Sequence, residues 1–265
     1  MLRYELSTQL WRPRTAIALA ALAAVPVAAG LSFASSAGHR NGTESGLFGA
    51  SPYSALNHAM ASLEFSGPLL LPIVVALLAA TIASADRDWG ILRYLYVAPV
   101  TRGRLLATKL AATALATLAA VACMLGAGLA AGTAIFGWHA FHIIGGPDLT
   151  AGQAAFRTLA AAGYTVLCML AMAGIAFTLG LLLPRGAEAL AVAIGFVVLA
   201  GVVNGQGALH AVAVALPVHY WQNWTGLFDP AGASGMGVGA VVQAATVGVC
   251  TLACWVILRR RDPAA

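Results

Sequence analysis

The chain has 265 residues, of which 60% are apolar (AVILMFWYC) and 9% charged, with a formal net charge of +5. A soluble domain carries about 25% charged residues, so this composition excludes a soluble globular enzyme, a disordered chain, a disulfide-stapled secreted module and a nucleic-acid-binding domain. With a mean hydropathy of +0.86, it is the composition of a polytopic membrane protein.

The N-terminal segment, residues 1–14, sets Leu2, Leu6, Leu10 and Trp11 at helical spacing against Arg3, Glu5, Ser7 and Arg12. That pattern predicts an amphipathic helix lying on the membrane interface. A helix needs about 20 mainly apolar residues to cross the hydrocarbon core. Six runs qualify and imply an all-α fold: residues 15–34, with Pro26 as a mid-span kink, then 68–85, 110–135, 153–183, 187–204 and 237–258. All are rich in small residues, which let helix backbones approach closely inside lipid. Between the first two spans, residues 35–67 read as an outer loop. Ser51-Pro52 is expected there as an N-cap and N1 pair, opening a short helix that carries Asn57, His58, Met60 and Leu63. Thr150 and Gln153 form a capping box at the start of the fourth span. Residues 205–235 are long for a connection. Their apolar stretch 208–216 stops at Pro217 and is followed by Tyr220, Trp221 and Trp224. This predicts one or two outer re-entrant half-helices next to an aromatic belt.

Twelve of the fourteen Lys and Arg residues fall on one side if the spans alternate: Arg3, Arg12, Arg14, Arg87, Arg93, Arg102, Arg104, Lys109, Arg185, Arg259, Arg260 and Arg261. Arg40 and Arg157 fall on the other. The positive-inside rule then places both termini in the cytoplasm, and residues 1–265 read as one transmembrane domain. The same topology expects all six histidines on or near the outer face. No ionisable group stands near a predicted span centre, which argues against an ion-driven transporter. The sole lysine, Lys109, is followed by Leu110, so the chain lacks the Lys-Ser/Thr ending of a P-loop and cannot hydrolyse ATP in that way. Cys123, Cys168, Cys250 and Cys254 lie in apolar runs without metal-binding spacing, and no catalytic, cofactor or metal residue is assigned.

The segment 86–109 carries the most information. Asp86, Asp88 and Gly90 precede a short amphipathic helix over residues 91–97, in which Leu92, Leu95 and Tyr96 can pack while Arg93 stays wet. Pro99 closes it, and Thr101 restarts a helix as an N-cap. Arg102, Arg104 and Lys109 then stand in the opening turns, where cations oppose the helix dipole and call for something acidic to offset them, phosphate headgroups or a partner protein.

This loop resembles the signature of permease subunits of type-2 ABC transporters, the exporter family. Asp86 and Asp88 match its acidic positions, Gly90 its glycine, Pro99, Val100, Thr101 and Arg102 its Pro-Val-Ser-Arg element, and Lys109 its lysine at the next span. Ile91 departs from the usual Thr, and Asp stands for Glu. The resemblance implies a coupling helix within 86–109, with Asp86, Asp88, Gly90, Arg93, Pro99, Thr101, Arg102 and Lys109 carrying ATPase coupling. It also implies a second permease copy or paralogue and a separate cytosolic nucleotide-binding subunit. ATP and magnesium would then be bound by that partner, with no cofactor in this chain. The expected role is export of an apolar or amphipathic substrate across a bacterial plasma membrane by alternating access.

Two alternatives come from other classes. Gly232-Ala233-Ser234-Gly235 matches the GxSG element of rhomboid-type intramembrane serine proteases, but the last histidine, His219, precedes the serine, and such chemistry needs a base within its reach. A non-transporting membrane scaffold or immunity protein could share the fold. His139, His142 and Asp148 are spaced so that they could share a metal, although an interfacial turn is the favoured reading.

Overall fold

A computed structural model describes residues 13–35, 46–88, 101–229 and 235–260, with the backbone alone for residues 86–88 and Arg102. Seven helices of twelve or more residues build it: α1 Pro13–Ser35, α2 Ala55–Ser66, α3 Leu70–Asp88, α4 Arg102–Ile135, α5 Ala151–Leu182, α6 Gly186–Asn204 and α7 Met236–Arg260. No strand occurs among the described residues, and one isolated antiparallel bridge joins Phe141 to Leu149. Five helices are long and apolar enough to cross a membrane, and α2 with α3 makes a sixth span if the bent pair counts as one.

The all-α fold with five to six candidate spans therefore stands, with one change of layout. The run expected at 68–85 is the second half of a broken element. α2 and α3 meet at a 67° bend, and they pack in succession along α4. Ala55 of α2 lies against Gly132 and Ala59 against Gly128, while Ile82 of α3 meets Lys109. A Cβ on Gly132 would come within 2.7 Å of the Ala55 Cα, and one on Gly128 within 2.9 Å of the Ala59 Cα. Only glycine admits that approach, and the Gly-x-x-x-Gly spacing puts both on one helix face. The break has a local cause. Pro68 has no N–H to give the Glu64 carbonyl four residues back. Gln222 Nε2 donates to that carbonyl instead, at 2.9 Å, and so ties the outer segment to the bend.

Several sequence expectations need correction here. The short helix after Pro52 is not capped by Ser51. Residues Ser51–Tyr53 form a separate 3-10 turn, and Ser54 caps α2 by accepting from the Asn57 amide. Nor does α2 sit in an outer loop, since Asn57, His58, Met60, Ser62 and Leu63 are buried in the bundle. His58 is held inside the bundle between α1 and the turn before α2. Its Nε2 lies 2.9 Å from the Pro26 carbonyl of α1 and its Nδ1 lies 2.8 Å from Ser51 Oγ. A carbonyl only accepts, so Nε2 carries the proton and the Ser51 hydroxyl donates to Nδ1. Residues 208–216 are not a continuous half-helix. They break into turns at Gly207–Leu209 and His210–Ala213, followed by the 3-10 turns Pro217–Tyr220 and Asn223–Phe228. The expected capping box is present, with the Thr150 side chain accepting from Gln153 N and the Gln153 side chain accepting from Thr150 N.

α5 forms the centre, packed by α3 and α7 and flanked by α4 and α6. Cys168, Met169, Met172, Ala173, Ala176 and Phe177 are its buried contribution to the core. Close packing supplies the association that hydrophobicity cannot supply between helices in lipid. The periphery is apolar instead of polar. On α7, Val241, Val249 and Leu252 are 70%, 67% and 63% exposed. Such a surface would aggregate in water and suits hydrocarbon. The amphipathic segment expected at residues 1–14 lies outside the described residues except for Pro13 and Arg14, and so does Ser234.

Candidate coupling region at one end of the bundle

The ends of α3 and α4 that flank the predicted coupling helix lie in a tightly tied layer. α4 starts at Arg102, where the reading of Thr101 as N-cap put it, and runs through Lys109 into the hydrocarbon run that begins at residue 110. Thr101 stands at its N-cap with extended backbone, φ −67° and ψ 139°. Its side chain makes no cap bond, contrary to the sequence expectation, and the turn is held by the Thr101 carbonyl, which accepts from the Arg104 and Leu105 amides.

Lys109 is 4% exposed, and its Nζ donates to the Ile82 carbonyl of α3 at 2.9 Å. The sequence leads to the expectation of an acidic offset for the cations at the start of α4, from lipid phosphate or a partner protein; the contact described for Lys109 is instead a backbone carbonyl of α3. The bond crosses from one flank of the loop to the other. Below it, Thr113 Oγ1 donates to the Lys109 carbonyl and Thr117 Oγ1 to the Thr113 carbonyl, both at 2.9 Å. These hydroxyls are thereby satisfied within α4 and need no partner from outside.

Three further contacts complete the layer. A Cβ on Gly103 would meet the Trp255 ring at 3.1 Å, so the first turn of α4 rests on the last turns of α7. The Arg259 guanidinium lies 4.6 Å from the same ring's centre, within cation–π range. A Cβ on Gly180 would meet the Ala83 Cβ at 2.7 Å, which sets α5 directly against α3. Among described side chains this end carries Arg14, Arg104, Lys109, Arg185, Arg259 and Arg260, with Glu188 bonded to Arg185 at 2.9 Å. The other end carries Glu64, Asp148 and Asp229, with Arg157 donating to the Leu227 carbonyl at 2.7 Å. The cation asymmetry seen in sequence is thus an asymmetry between the two ends of the bundle.

Of the predicted coupling residues, Thr101 and Lys109 are placed with their side chains, and Asp86, Asp88 and Arg102 by backbone in the flanking helical turns. Gly90, Arg93 and Pro99 lie outside the described residues. Sequence reading did not anticipate that Lys109 is buried or that Gly103 and Trp255 touch. The small-residue periodicity of α4 was the available signal for close packing, but nothing local to Lys109 announced its partner.

A family model described as ABC-2 family transporter protein matches residues 11–204, which take in α1 to α6 and the whole 86–109 loop. No curated protein matches the chain. The chain is a multi-pass membrane component of a transporter, and it belongs to the ABC-2 transporter permease family.

Proposed function

We propose that this chain is the permease subunit of an ATP-driven exporter in a bacterial plasma membrane. The family match across residues 11–204, which includes the full loop, carries the reading. Two permeases, identical or paralogous, would each receive one cytosolic ATPase subunit, which binds the ATP and magnesium. The loop 86–109 would seat in that subunit, with Asp86, Asp88, Gly90, Arg93, Pro99, Thr101, Arg102 and Lys109 shaping the contact. By the positive-inside rule the end bearing Arg104, Lys109, Arg185, Arg259 and Arg260 faces the cytoplasm, together with both termini.

The physical support lies in how the flanks of the loop are joined. A push on the first turn of α4 acts on α3 through Lys109 and Ile82, and on α7 through Gly103 and Trp255. Movement of one short helix would therefore be passed to three long ones, as alternating access requires. Cargo is an apolar or amphipathic molecule. The test is purification of the native complex followed by the charge reversals Asp88→Lys and Arg102→Glu. A nucleotide-binding protein should copurify, and both variants should insert normally while losing substrate-stimulated ATP hydrolysis. A native complex without any ATPase would instead indicate a scaffold or immunity protein.

A further inference from the structure

At the end opposite Lys109 lies a cavity of about 540 Å³, within the usual range for small-molecule sites. Leu47, Ile143 and Phe228 give it apolar walls, and Glu64, His142 and Asp229 line it as well. One atom stands out. Glu64 Oε2 is buried and meets no hydrogen-bond donor among the described residues. A buried carboxylate oxygen without a donor is costly and rare in folded proteins. The Glu64 carbonyl, by contrast, has its donor in Gln222.

The walls are fixed to one another. Asn57 of α2 makes two bonds to the backbone of His142, donating to its carbonyl at 2.8 Å and accepting from its amide at 3.0 Å. The His142 ring stacks on Tyr53 with centroids 4.2 Å apart, and its Nδ1 lies 2.6 Å from Asp148 Oδ1. Phe141 stacks on Phe228 at 4.8 Å. Segments 46–64, 141–149 and 222–229 thus form a preset chamber with an apolar wall and acceptor groups, and its described lining residues include carboxylates and no lysine or arginine.

We propose that this chamber binds a protonated amine with an apolar body, its ammonium donating to Glu64 and its hydrocarbon lying on Leu47, Ile143 and Phe228. The proposal rests on the exporter reading, for which it narrows the cargo to cationic amphipaths that pass this chamber on leaving.

Binding is measured by calorimetry on the full chain in lipid nanodiscs, without an ATPase, using three indole probes of matched size: tryptamine, tryptophol and 3-indolepropionate. Tryptamine should bind at least about tenfold more tightly than the alcohol, and the propionate should not bind. Glu64→Gln should remove most of the preference for the amine. Ile144→Trp fills the chamber while keeping every charge, and should abolish binding of all three probes, so the test stands even if the Glu64 variant misassembles. Equal affinity for amine and alcohol, or tryptamine binding that survives Ile144→Trp, overturns the proposal. Because no ATPase is present, such a failure leaves the coupling assignment untouched, and loss of coupling in the charge-reversal test leaves this one untouched.

Discussion

Lys109 of α4 and Ile82 of α3 are joined by a buried 2.9 Å bond that closes the base of the loop between the two helices. The lysine sits at the position where the exporter signature has its lysine, and its ammonium holds α3. Replacing it with methionine keeps the length and removes the donor. Lys109→Met should reduce stability by about 1.5–3 kcal/mol, the range for a hydrogen bond to a charged group. Denaturation of the protein in nanodiscs gives the value, and a change below about 0.5 kcal/mol would show that the bond is incidental.

The α2–α4 crossing depends on two glycines. Gly132→Ala places a methyl group 2.7 Å from the Ala55 Cα, and backbone cannot swing aside as a side chain can. A loss of about 1–3 kcal/mol is expected. Gly195→Ala on α6 has open space around the new methyl, and should be neutral or slightly stabilising through its helix propensity. Equal melting temperatures for the two variants would argue against this crossing.

Gln222 does for Glu64 what Pro68 prevents the helix from doing. Gln222→Leu leaves the Glu64 carbonyl without its replacement donor, at an expected cost of about 1–3 kcal/mol. Pro68→Ala restores an N–H that can reach that carbonyl, so the double variant should recover part of the loss. A double-mutant cycle with no coupling between the two positions would contradict the assignment.

Asn57 holds the segment around His142 by both of its amide atoms. Asn57→Ala should expose the His142 amide to solvent, and hydrogen exchange there should accelerate by at least about tenfold, while exchange in the middle of α5 stays slow. Uniform acceleration across the chain would mean that the variant unfolds the bundle instead of releasing one loop.

Much of this fold was legible because hydrocarbon imposes a simple rule. Long apolar runs with satisfied backbones become helices, and the spans around residues 110–135, 153–183, 187–204 and 237–258 differ from the structure mainly at their ends. The Thr150–Gln153 box was legible too, because both partners are local. What escaped were contacts between residues distant in sequence. Buried α2 reads as a loop helix because its small and polar residues, Ser54, Asn57, His58, Ser62 and Ser66, give a low hydropathy. Its burial depends on Gly128 and Gly132 over sixty residues away. The burial of His58 escaped as well, because its partners, Ser51 and the Pro26 carbonyl, become visible only in three dimensions. The cation distribution was readable throughout, since it depends on which end of each span a residue occupies and not on contacts. The loop motif was readable as spacing, whereas the Lys109–Ile82 bond at its base was not.

The most direct test of coupling through residues 86–109 is ATP hydrolysis by the reconstituted native complex with and without Arg102→Glu. Substrate-stimulated hydrolysis should fall about tenfold, equivalent to roughly 1.4 kcal/mol of lost coupling, with membrane insertion and subunit content unchanged. Full stimulation in the variant, or a purified complex that contains no nucleotide-binding subunit, would contradict it.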